Sequence, residues 1–161
     1  MSFWQYAFEF VICTLSVGSF CVLADSPKNT LLPASLISAL AYIVYRIISI
    51  NANKEILAYF VASVIISVLS EILARIYKKP STIFIFPGII PLVPGVGLYN
   101  SMLYLIRHDY SMFVAKAVNT LFISGAIAIA VAIVHITARS VFPRKNGILP
   151  VNRISEKKEN P

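Results

Sequence analysis

The sequence predicts an all-α integral membrane protein of about five transmembrane helices, with the fourth broken by proline and glycine. Three observations carry this. Of 161 residues, 58% are hydrophobic and 13% charged, where a soluble domain carries about 25% charged residues. Mean hydropathy is +0.78. Finally, the apolar residues fall into five runs near the roughly 20 residues needed to cross about 30 Å of hydrocarbon. Together they exclude a small soluble enzyme, a transcription factor and a secreted protein.

The first run, 3–23, ends at Asp25-Ser26-Pro27-Lys28. No lysine or arginine precedes Lys28, so it lacks the basic start of a signal peptide and reads as a retained span. The second, 31–50, tolerates Pro33 in its first turn and fades at Asn51-Ala52-Asn53-Lys54. The third, 55–77, is closed by Lys78-Lys79-Pro80. The fourth, 81–106, is interrupted by Pro87, Gly88, Pro91, Pro94, Gly95 and Gly97, and the fifth, 112–138, is rich in Ala, Ile and Val. Residues 1–139 thus read as one transmembrane domain. Residues 140–161 read as a polar, disordered, cytoplasmic tail containing Pro143, Gly147 and Pro150.

The net charge of +7 follows topology and does not mark a nucleic-acid partner. If all five runs cross, ten basic residues fall on the side of the C-terminus and four on the other. The positive-inside rule then places the C-terminus in the cytoplasm and the N-terminus outside. Cys13 and Cys21 have neither CxxC spacing nor clustered His or Asp. They read as small apolar residues, with no metal or cofactor implied.

Polar residues repeat at helical spacing: Gln5, Glu9, Cys13 and Ser16; Ser35, Ser38, Tyr42, Tyr45 and Ser49; Tyr59, Ser63, Ser67 and Glu71; Lys116, Thr120 and Ser124, beside Asn119. Each stripe is predicted to turn from lipid, either as glue between helices or as the wall of a wet interior. Among the intramembrane charges, Glu9 is expected to pair with Arg46, or alternatively to carry a proton. Glu71 is expected to pair with Arg75 one turn on. Lys116 snorkels to the outer interface, His135 is a helix-contact histidine, and Lys116 or Arg46 would attract an anionic substrate group.

Three prolines and three glycines lie within the eleven residues from Pro87 to Gly97. A proline inside a helix removes one hydrogen bond and clashes one turn back, at about 3 kcal/mol or more. Three in succession cannot continue one helix, and Pro91 falls about 15 Å from the start of its run. Backbone freed at that depth must be buried in protein or line a cavity, as at the substrate sites of secondary transporters.

The string Pro91-Leu92-Val93-Pro94-Gly95-x-x-x-Tyr99, preceded by Ala74-Arg75-x-Tyr77-Lys78-Lys79-Pro80-Ser81-Thr82, resembles the threonine/serine exporter family in its C-terminal half. That half also occurs as a separate small subunit. The resemblance covers about Arg75 to Ser124, and Pro87-Gly88 is a departure ahead of the motif. It implies a bacterial inner-membrane secondary exporter of threonine and serine or, in two-subunit forms, succinate, and not an enzyme. It also implies a larger membrane subunit as partner, with higher oligomers open to the pair. The residues it singles out are Pro91, Pro94, Gly95, Tyr99 and Asn119. The alternative is a non-transporting scaffold subunit whose prolines serve packing alone.

Overall fold

Inside a bilayer no water satisfies backbone amides, and only a helix closes those hydrogen bonds within one segment. The computed structural model, which describes residues 3–52 and 55–141, follows that logic. Among the described residues the α-helices are α1 Phe3–Leu23, α2 Lys28–Ala52, α3 Glu55–Ile76, α4 Thr82–Ile89, α5 Gly95–Ile106 and α6 Tyr110–Val141, and no strand occurs. A 3₁₀ turn, Ile90–Leu92, follows α4. Helices α1, α2, α3 and α6 are each long and apolar enough to cross a membrane. The pair formed by Thr82–Leu92 and Gly95–Ile106, bent by 50°, makes a fifth candidate span. Beyond Val141 the expected tail lies outside the described residues.

Helices α1, α3 and α5 end alike. Ser26 N–H donates to Cys21 O at 3.1 Å, Lys79 N–H to Ala74 O at 3.0 Å and Asp109 N–H to Tyr104 O at 3.0 Å. In each case the preceding residue is left-handed: Asp25 (φ 53°), Lys78 (φ 53°) and His108 (φ 59°). These are Schellman ends built without glycine, which is why the sequence marks them only as polar gaps. A side chain in that conformation costs roughly 1–2 kcal/mol, and the tight reversal it permits lays the next helix beside the last. Asp109 then accepts Met112 N–H at 3.2 Å on its Oδ1, capping α6.

Side-chain contacts give the helix directions. Glu9 near the start of α1 meets Arg46 near the end of α2, and Tyr45 of α2 meets Tyr59 near the start of α3. Both pairs are therefore antiparallel. Helix α6 instead runs parallel to α3, because Glu71 reaches His135 and Arg75 reaches Ala138. With α3 and α6 parallel, the chain between them must return across the bundle. That return is α4, the 3₁₀ turn and α5.

The core is built for close approach. Ala39, Ala41, Ala58, Ala62 and Ala130 are fully buried, as expected where helices pack without a hydrophobic drive between them. Helix α4 lies against α1, α2 and α3, whereas among the described elements α5 packs on α6 alone. A Cβ on Gly88 would sit 2.9 Å from Ile66 Cγ2 and 3.6 Å from Ser38 Oγ, so α4 touches α2 and α3 through a bare backbone. Leu92, fully buried, joins Ile37, Ala41, Tyr59, Ala62, Ile66, Ile123 and Ile127 in one cluster. The break thereby sits level with the middle of α3.

Candidate functional site

The break is built from three local conformations. Ile90–Leu92 tightens into the 3₁₀ turn, with Val93 N–H donating to Ile90 O at 3.2 Å. Val93 is then extended (φ −60°, ψ 128°). Pro94 (φ −74°, ψ 60°) centres an inverse γ-turn, closed by Gly95 N–H to Val93 O at 2.7 Å. Neither Pro91 nor Pro94 has an N–H to offer, so the helix cannot run through. Leu92 and Pro94 are buried, while Val93 and Gly95 are exposed. The turn is thus anchored on one side and open on the other.

Beyond the break, α5 and α6 form a hairpin held by a close seam. A Cβ on Gly97 would lie 2.5 Å from Thr120 Oγ1. Ser101, one turn on, is buried and donates to Gly97 O at 2.7 Å. This Gly-x-x-x-Ser spacing is a small-residue seam, a signal legible in the sequence but obscured by the prolines before it. Tyr99 and Asn119 flank it, and Lys116 lies one turn from Thr120, whose hydroxyl donates to Lys116 O at 2.7 Å. All three side chains are exposed, Tyr99 by 67%. Tyr99, Asn119 and Lys116 are thus gathered along one hairpin, on surface that the described residues leave uncovered.

The other charged positions lie at the two ends of the bundle. Arg46 donates from Nε to Glu9 Oε2 at 3.1 Å and from Nη2 to Oε1 at 2.8 Å, a bidentate geometry in which each charge neutralises the other. Beside Arg46 on α2, the Tyr45 hydroxyl lies 3.2 Å from that of Tyr59, their ring centroids 4.4 Å apart. At the opposite end Glu71 Oε1 lies 2.9 Å from His135 Nδ1, and Arg75 Nη2 donates to Ala138 O at 3.2 Å. The sequence reading kept Glu71 on its own helix. The structure adds a hydrogen bond that crosses to α6, because α3 and α6 run parallel and bring position 135 level with position 71.

The polar stripes divide differently from the sequence expectation. Those of α2 and α3 do turn inward: Ser35, Ser38, Tyr59, Ser63 and Ser67 are buried. Ser16 on α1 and Asn119 and Ser124 on α6 are exposed, so the described residues do not enclose one shared polar interior. Most buried hydroxyls bond their own helix, as Ser38 to Ala34 O at 2.9 Å and Ser67 to Ser63 O at 2.8 Å, which makes them packing residues. Ser63 and Ser70 differ, their hydroxyls buried with no hydrogen-bond partner among the described residues. Cys13 and Cys21 are buried free thiols.

With the helix order and the broken fourth segment in place, comparison with known proteins is decisive. The family model described as "Threonine/Serine exporter, ThrE" matches residues 9–137, from α1 into the last turns of α6. The chain belongs to the threonine/serine exporter family. It is 24% identical over 135 residues to an uncharacterised protein of Haemophilus influenzae, a match covering 78% of this chain and 45% of that relative. The chain therefore spans less than half the length of that curated relative. No solved structure matches. As a family member with four to five candidate spans, it is a multi-pass membrane protein, and large apolar side chains such as Leu15, Leu23, Leu32, Ile76 and Ile136 are exposed on its helices.

Proposed function

We propose that this chain is one half of a two-component secondary exporter of small metabolites, either threonine/serine-type amino acids or C4-dicarboxylates such as succinate. A larger membrane subunit, carrying the N-terminal-half domain, supplies the facing half. The observation that carries this reading is the break at Pro91–Gly95, anchored at mid-depth by Leu92 and open beside the uncovered α5–α6 hairpin. Two halves with odd span numbers sit in opposite orientations, the geometry of inverted-repeat carriers. In this mechanism the exposed turn at Val93 and Gly95 contacts substrate, with Tyr99 and Asn119 lining the path. Lys116 draws in a carboxylate from the hairpin's outer end.

We place the protein in the bacterial inner membrane with its C-terminus cytoplasmic, on the bias of ten basic residues against four. A C-terminal reporter active only outside the cytoplasm is expected to stay silent, and strong signal overturns the orientation. Function is tested by efflux of labelled threonine, serine and succinate from cells producing this chain with the larger subunit, without it, or neither. Efflux is expected only with both present. No efflux in any arm, with both proteins in the membrane, favours a scaffold subunit.

A further inference from the structure

We propose that the groove between the C-terminal ends of α3 and α6 binds one anionic phospholipid, with an acyl chain in the groove and the headgroup phosphate at Arg75. The groove measures about 390 Å³ and is walled chiefly by Val68, Ile72, Ile133 and Val134. Val68, Ile72 and Ile133 are exposed by 41%, 48% and 52%, so in a bilayer their surroundings are hydrocarbon. Its carboxylate, Glu71, is already engaged by His135 at 2.9 Å, which leaves an apolar slot with a charged mouth.

Charge selects among lipids for that slot. Arg75 lines the groove, where its guanidinium, hydrogen-bonded to Ala138 O, keeps its positive charge. Lys78, Lys79 and Arg139, all exposed, lie within one turn of lining positions. Across residues 66–79 and 130–141 Glu71 is the sole acidic residue. Both helices therefore end in cations at one level, beneath which an acyl-sized slot opens. A basic pocket between transmembrane helices is the arrangement that recognises acidic headgroups, each nearby Lys or Arg contributing about fivefold in affinity. This inference needs only the helix pairing and is independent of the transport reading.

The test uses the full chain as it purifies from the membrane, with Trp4→Phe and Ile133→Trp placing its single tryptophan in the groove. In phosphatidylcholine nanodiscs, brominated phosphatidylglycerol is expected to quench that tryptophan at a mole fraction at least fivefold lower than brominated phosphatidylcholine. Arg139→Gln and Lys78→Gln, which leave the Arg75–Ala138 hydrogen bond intact, are each expected to reduce the preference about fivefold. Arg75→Lys keeps the charge and most of the preference. Without any substitution, the lipid extracted with the purified chain is expected to be enriched in anionic species over the bulk membrane. Equal quenching by both lipids, no quenching by either (a protein segment covers the groove), or displacement by excess inorganic phosphate would each overturn the proposal.

Discussion

The bundle of α1 to α4 and the hairpin of α5 and α6 use the same residue types to opposite ends. In the bundle, small residues on several helices meet and disappear: Ala39, Ala62, Ser38, Ser63 and Gly88 lie under a neighbour's backbone. Between α5 and α6 a single seam, Gly97 and Ser101 against Thr120, is closed, while Val96, Tyr99, Met102, Ile106, Leu121 and Phe122 stay more than half exposed. Among the described residues α4 is packed by three helices, whereas α5 is packed by α6 alone. Under the proposed function the bundle supplies stability and the hairpin the surface that meets the larger subunit, because a polar group such as Asn119 is costly to leave facing hydrocarbon.

The sharpest way to break this division is at the joint between the two regions. Pro91→Ala with Pro94→Ala allows the helical hydrogen bonds to re-form across the break and raises helix propensity at both sites. Efflux is expected to vanish while the protein still reaches the membrane and co-purifies with the larger subunit. Wild-type efflux at matched expression would remove the broken-helix site.

Bulk in the bundle comes next in size. Gly88→Leu forces a side chain into Ile66 and Ser38 and is expected to cost about 1–3 kcal/mol or more. The readout is a lower unfolding temperature in detergent and less assembled protein. Gly95→Ala is the control, since a Cβ there meets nothing within 4 Å, and its melting point should match the parent's.

The Glu9–Arg46 pair tests whether the bundle's charges are structural. Its side chains are 26% and 29% exposed, so breaking it should cost less than the 3–5 kcal/mol of a fully buried pair, about 1–2 kcal/mol after solvent screening. Glu9→Gln should lower the assembled amount, and adding Arg46→Gln should restore part of it. Unchanged assembly with lost efflux, or a lost pH dependence, would make Glu9 a proton carrier instead.

The smallest effect is expected on the hairpin surface. Tyr99→Phe removes one hydroxyl from a side chain 67% exposed, so thermal stability should stay within about 0.5 kcal/mol. Efflux should fall a fewfold, through the loss of about 1 kcal/mol of hydrogen bonding to substrate. A drop in stability with efflux unchanged would place Tyr99 in the packing and blur the distinction between the regions.

Much of this was legible before any coordinates. Apolar runs of bilayer length can only be helices in lipid, and three prolines in one run can only interrupt it, so span number, fold class and the position of the break follow from local chemistry. The motif around Pro91–Tyr99 likewise announces the family. What the sequence left open concerns partners distant along the chain. Glu71 has two neighbours at helical spacing, and nothing in its surroundings names His135, 64 positions away. That contact exists because α3 and α6 are parallel, which is decided by where the broken segment returns the chain. The serine stripes read alike on α2, α3 and α6, yet only packing buries those of α2 and α3 and leaves Asn119 and Ser124 uncovered. Helix identity and breakage are set by hydrogen bonds between residues three or four apart, which a sequence displays directly. Which helix faces which is set by the summed fit of side chains across seams, and that sum exists only in the folded bundle.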